Sequence, residues 1–164
     1  MAPWDADLTE RTINVFSQTA EYALRAMVCL AQQREDRSLT SQELAEATQV
    51  PPGYLSKVLH SLVRGGLIRS RRGVGGGFIL ARPADTITIL DVLNIVDPMQ
   101  RITFCPLGLQ SHGTRLCPLH RKLDDAIART EEAFSQITLA MLVNEPTLSP
   151  SLCELPAPNP KPRP

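Results

Sequence analysis

Apolar side chains recur at three- and four-residue steps early in the chain, at Ala20, Ala23, Leu24, Met27, Val28 and Ala31. That spacing draws one stripe along a helix and predicts an α-helix over 17–32, stopped by the charged stretch REDRS. A second, shorter period follows in SLTSQELAEATQV. Thr40 or Ser41 can cap its start, Glu43 stands where a capping-box acid belongs relative to Thr40, and Leu44, Ala45 and Thr48 form its inner side. Gln49-Val50-Pro51 ends that helix, because the residue before a proline is driven out of the α region. Pro52 suits the first turn of the next helix, whose inner stripe is Leu55, Val58, Leu59 and Leu62 and whose end is Gly65-Gly66.

The period then changes. LIRS, RRGVGGG and FILAR read as strand, glycine-rich turn and strand, so the two short helices are followed by a basic hairpin. Helix, tight turn, helix and hairpin together predict a winged helix-turn-helix. DTITILDVLNIVDP reads as a strand end and a helix, with Leu90, Val92, Leu93 and Val96 turned inward. Farther on, Leu119, Leu123, Ala126, Ile127, Phe134, Ile137 and Met141 are spaced along one side of a long helix, with Thr130 the weak position. About 25 residues of single-stripe helix exceed what so small a domain can cover, which predicts a dimerisation helix.

The expected fold is therefore mainly α with a small β-wing, a winged helix-turn-helix plus a long C-terminal dimerisation helix. Its parts are a flexible N-terminal extension (1–14), the winged domain (15–100), a cysteine-containing loop (101–118), the dimerisation helix (119–144) and a disordered tail (145–164). The tail holds seven of the fourteen prolines.

Composition adds limits. At 164 residues and 43% hydrophobic the chain suits one domain with a core, and 4% aromatic residues make that core aliphatic. No apolar run approaches a membrane span and the first residues, MAPWDADLTER, hold no apolar signal segment, so no membrane partner and a cytoplasmic location are expected. There, disulfides are uncommon, and cysteines within reach of one another more often mean metal or redox chemistry.

Net charge is zero, yet its distribution is uneven. Between residues 47 and 84 there is no Asp or Glu, while Lys57, Arg64, Arg69, Arg71, Arg72 and Arg82 all fall there. Single surface cations are usually only solvated, but this bias across a helix-turn-helix and wing points to double-stranded DNA. The second helix of the motif offers Tyr54, Ser56, Lys57 and His60 to a major groove, and Ser41 and Gln42 open the supporting helix beside a phosphate. Arg69, Arg71 and Arg72 would meet phosphates or a minor groove, and glycines such as Gly75 let the wing backbone approach DNA closely. The cluster Gly73-Val74-Gly75-Gly76-Gly77 is not a nucleotide fingerprint: Phe78-Ile79-Leu80 continues as a strand where a helix would have to open. No suitable acid/base pair lies near those glycines, so an enzyme is not expected.

These segments resemble the Rrf2 family of transcription regulators over 16–143. The resemblance is carried by EYALRAMVCLA, SQELAEATQVPPGYLSKVLHSLVRGGLI, SRRGVGGGFILARPADTITILDVL and the Cys…CPLH stretch. It implies a homodimer on a pseudo-palindromic operator and, in many members, an iron–sulfur cluster reporting on iron–sulfur status, redox state or nitric oxide. Cluster-bearing members place three cysteines before the dimerisation helix, and some add a histidine three residues after the last. Cys105 and Cys117 match the first and third cysteines, and His120 matches the histidine. The middle cysteine is absent; its place falls near Ser111, with His112 beside it. Some members complete the cluster with an acid from the first helix of the other subunit, a position held here by Glu21.

The resemblance thus implies a [2Fe–2S] cluster on Cys105, Cys117, a histidine (His120 or His112) and the partner subunit's Glu21. Other readings stand beside it. Glu21 and Arg25 are spaced to pair on the helix surface. Cys105 and Cys117 could hold zinc or form a reversible disulfide, and a cluster-free regulator could sense thiol oxidation or a metabolite. Cys29 lies among apolar helix residues and reads as core, and Cys153 lies in the tail.

Overall fold

The computed structural model describes residues 16–33, 37–105 and 115–146. The predicted extension over 1–14, His112 and Ser111, and nearly all of the tail lie outside them. Helix α1 (Gln18–Ala31) runs through the middle of the domain, its N-terminus capped by the Ser17 hydroxyl, which accepts from the Ala20 N–H at 3.2 Å. Ala20, Ala23 and Ala26 are fully buried along it. Small side chains at these positions bring α2, α3, α4 and α6 close to one helix, and Met27, Val28, Cys29 and Leu30 fill the space between.

α2 (Ser41–Thr48) starts at the capping box read from the sequence: Thr40 accepts from the Glu43 N–H while Glu43 accepts from the Thr40 N–H. It stops at Gln49, whose φ of 56° is left-handed, and the Gln49 N–H closes on the Ala45 carbonyl. This single residue turns the chain into α3 (Pro52–Arg64), which buries Leu55, Val58, Leu59 and Leu62. At the end of α3, Gly65 lies against Ile95, leaving no room for a Cβ, and Gly66 takes a φ of 73°.

The wing consists of β1 (Ile68–Arg71) and β2 (Gly77–Leu80), antiparallel, with Arg69 opposite Ile79 and Arg71 opposite Gly77. Leu39 adds a rung on the far side of β2, exchanging backbone bonds with Phe78 at 3.1 and 2.7 Å. Gly77 faces that rung with a φ of 153°, and a Cβ there would strike the Leu39 carbonyl. A 3-10 turn (Ala84–Thr86) leads into α4 (Ile89–Val96), whose own capping box pairs Thr88 with Asp91.

One expectation is corrected. A continuous helix over 119–144 does not form. α5 (Pro118–Gln136) ends, Ile137 and Thr138 turn extended, and α6 (Leu139–Asn144) begins with Thr138 as its cap. The β-branched pair favours extended backbone, and a partner is at hand. The Ile89 N–H donates to the Ile137 carbonyl and the Leu139 N–H to the Ile87 carbonyl, both at 2.9 Å. This bridge carries Leu139 into the core at 0% exposure, whereas no residue of α5 is buried within the chain. Leu139→Ala should therefore destabilise the domain by about 2–5 kcal/mol, read from urea unfolding.

Candidate nucleic-acid interface and metal centre

On the outer side of α3 stand Tyr54, Ser56, Lys57 and His60, all exposed and projecting opposite the buried leucine stripe. Tyr54 is not loose. Its ring meets the Tyr22 ring edge-on at 6.2 Å, and the Lys57 ammonium lies 5.8 Å from its centroid. α1 thus braces α3 through an aromatic contact, and Arg25 adds a bond to the Thr48 carbonyl at the turn between α2 and α3. Ser41 is the first residue of α2, exposed, and Gln42 beside it donates to Glu46 at 3.0 Å. Arg69, Arg71 and Arg72 are exposed on β1 and the wing turn, with Gly75 at a φ of 75° in that turn. Ser38 donates to the Gly75 carbonyl and so ties the turn to the segment before α2.

Farther along the chain, Cys117 is the N-cap of α5 and His120 lies one turn on, so the Cys117-Pro-Leu-His120 spacing puts both on one side of the helix. His120 Nδ1 lies 3.1 Å from Cys117 Sγ and 3.7 Å from Cys105 Sγ. The three donor atoms all fall within 4.8 Å of one another and are half-buried. Two thiols and an imidazole in that space form a soft, metal-ligating group at the positive end of a helix.

The segment that leads to Cys105 is clamped to α5. Arg101 grips Asp124 with two bonds of 2.7 and 2.6 Å, and Asp124 also accepts from the Ile102 N–H at 2.9 Å. Glu131 stands 3.5 Å from the same guanidinium. The Arg101 guanidinium holds the Asp124 carboxyl down at about 2 from an ordinary 3.8, with the Ile102 N–H acting in the same direction. In turn Asp124 raises the Arg101 pKa further above its usual value. Because the folded value lies below the unfolded one, the clamp contributes fully above about pH 4 and is lost as pH falls through about 2. Arg101→Ala should raise the Asp124 carboxyl midpoint from about 2 toward 3.8 in a carbon-detected NMR titration. Nothing in the sequence marks residues 101 and 124 as partners; only the folded chain brings them together.

Glu21 is engaged within its own subunit, accepting from Arg25 Nη2 at 2.8 Å and Nε at 3.2 Å. The surface-pair reading of EYALR is therefore what the single chain adopts. Glu21 is not among the three clustered donors. Cys29 is buried in the core, as read from its apolar neighbours.

Comparison with known proteins agrees with this architecture. Residues 16–145 match the Rrf2 family, described as an iron-dependent transcriptional regulator. A protein of Aquifex aeolicus bearing the inferred name HTH-type transcriptional regulator is 32% identical over 133 residues, spanning 79% of this chain and 92% of that one. Among solved structures, CymR, the global cysteine regulator of B. subtilis, superposes with a TM-score of 0.68 at 22% identity over 80% of this chain and 98% of its own. IscR of T. potens superposes with a TM-score of 0.60 at 25% identity over 76% and 82%. A helix-turn-helix with a basic wing, a family match over most of the chain and relatives of the same kind lead to one conclusion: the chain belongs to the Rrf2 family and is a DNA-binding transcriptional regulator.

Proposed function

We propose that the protein works as a homodimer on a pseudo-palindromic operator, its affinity switched by an iron–sulfur group, a [2Fe–2S] cluster, at the foot of α5. The observation that carries this reading is the convergence of Cys105, Cys117 and His120 within 4.8 Å, across a sequence gap, at the start of a helix none of whose residues is fully buried in its own subunit. The family's description as iron-dependent supports it. Leu119 and Leu123, 63% and 47% exposed, supply the apolar face through which two α5 helices would pair.

The donor types suit iron, but a two-iron cluster takes four protein ligands and the described residues of one chain supply three. The partner subunit's Glu21 is the proposed fourth. To serve, it must leave Arg25, so a Glu21→Ala variant with the wild-type visible spectrum removes it from the set. When bound, the cluster supplies a charge that changes with redox state. The chain's own residues then carry the response. α5 is anchored near its start by the Arg101–Asp124 clamp and at its end by the bridge between 137–139 and 87–89. Displacement along α5 therefore pulls on the segment between the wing and α4. Operator affinity changes only by the difference in cluster affinity between the two dimer geometries.

On DNA, each subunit would set Tyr54, Ser56, Lys57 and His60 in a major groove, the two copies about 34 Å apart along the duplex. Ser41 and Gln42 would meet the phosphate backbone, with Arg69, Arg71, Arg72 and the Gly75 turn at the flanking minor groove.

A single tetrahedral ion is the second reading, favoured by one observation. Donors bound to one such ion lie about 3.8 Å apart for bonds near 2.3 Å, close to the spacing seen here, whereas a cluster divides its ligands between two irons. One measurement separates the two. Anaerobically purified protein that is coloured and holds iron and sulfide in equal amounts supports the cluster; colourless protein holding zinc supports the single ion.

A further inference from the structure

A cleft of about 790 Å³ opens where the wing, the C-terminal end of α1, the turn over 81–85 and α6 meet. Neither the Cys105–Cys117–His120 group nor any residue of α3 lines it, while Arg69 and Arg71 are shared with the wing surface. Its size falls within the range of small-molecule sites, roughly 300–1,000 Å³.

Among the described lining residues, basic groups outnumber acidic ones. Arg37, Arg69, Arg71 and Arg82 line the cleft together with Asp85, and Arg82 is paired with Asp91. Between them Ile79, Ala84 and Ala140 form an apolar floor. The cations are carried on firm supports. Arg69 and Arg71 sit two apart on β1 and so share one face of the wing. Arg82 is held 2.8 Å from Asp91, which is itself fixed as the capping-box acid of α4. Arg37 precedes Ser38 and Leu39, which are bonded to Gly75 and Phe78 of the wing. Guanidinium forks match carboxylate and phosphate oxygens two at a time.

We propose that this cleft binds a small molecule bearing two or more oxyanion groups, carboxylate or phosphate, on a compact apolar body. A concave floor of Ile79, Ala84 and Ala140 suits such a solute better than the continuous backbone of a duplex. Arg69 and Arg71 stand at the border between this cleft and the wing surface assigned to DNA, and α6 is joined to α5 through Ile137 and Thr138. A molecule held there ties the wing to α6, giving the regulator an input independent of the metal centre.

The test uses the full chain and the fluorescent anion 1-anilinonaphthalene-8-sulfonate, displaced by pyrophosphate or by citrate. The wild-type protein should show a saturable signal displaced by one of these, which also identifies phosphate or carboxylate as the preferred group. Arg37→Ala should raise the displacing concentration about tenfold, the loss of one charge-assisted contact. Ala84→Trp, which fills the floor and leaves every cation in place, should remove the displaceable signal while the melting curve followed by circular dichroism persists. If Ala84→Trp does not fold, Arg37→Ala alone decides the matter. No displaceable signal in the wild type, or displacement unchanged in Arg37→Ala, overturns the proposal. So does an Arg37→Ala variant that loses operator affinity as strongly as anion affinity with no anion present, which would make the cleft part of the DNA surface. None of these readings depends on metal, so failure here leaves the proposed iron–sulfur switch standing.

Discussion

A variant carrying both Cys105→Ser and Cys117→Ser should fold, bind DNA and retain neither iron nor visible absorption. Two of the three clustered donors are removed, and a hydroxyl is a poor substitute for thiolate on iron. The fold should survive for a specific reason. Cys117 is the N-cap of α5 but makes no side-chain capping bond, and serine is among the best residues at that position. The substitution therefore holds or raises helix stability, by up to about 1 kcal/mol. Cys105 is only half-buried and its segment is held by Arg101 and Asp124. Metal analysis and thermal melting, run on the same sample, separate loss of ligand from loss of structure. In gel-shift titrations the wild type should bind its operator differently before and after chelation or reduction, and the double variant identically. A variant that keeps its colour would sink the assignment of both cysteines; a wild type indifferent to chelation and reduction would sink the switch.

The second large effect is expected on the surface formed by α3 and the wing. Lys57→Ala combined with Arg72→Ala should weaken operator binding roughly a hundredfold, since each contact contributes on the order of 1–3 kcal/mol. The two residues can be told apart. Arg72, in the wing turn, should act as a backbone contact: its loss weakens all sequences alike and lowers the slope of log affinity against log salt by about one. Lys57 projects from α3 beside Tyr54, and if it reads a base edge its loss relaxes sequence preference and leaves the salt slope nearly unchanged. Tyr54→Ala gives a further check, because that ring supports Lys57 and rests on Tyr22. It should reduce affinity even if Tyr54 itself touches no base. Double substitution with unchanged affinity and salt slope would remove this face from the DNA surface.

The helix-turn-helix was legible because its signals are local. Thr40 and Glu43 lie three residues apart, Gln49-Val50-Pro51 stops one helix and Pro52 starts the next, and each of these acts through backbone geometry within a single turn. The hairpin was equally local, its turn set by glycines that can take positive φ. The apolar stripe after residue 119 was misread as one helix, because a period of three and four residues does not register a competing backbone partner. Ile87–Ile89, nearly fifty residues earlier in the chain, offers that partner and breaks the helix at Ile137 and Thr138.

The metal-ligating group divides in the same way. Cys117 and His120 were paired by the family resemblance, and their spacing places both within one turn of helix. Cys105 lies on a segment held to α5 by the Arg101–Asp124 clamp, which spans 23 residues and leaves no periodic trace. By itself the sequence determined the helices, their caps, the wing and the basic face, all of which depend on interactions between near neighbours. The tertiary structure alone decided where α5 ends, how Cys105 reaches His120, and that four arginines from three segments border one cleft, because these depend on contacts between residues far apart in the chain.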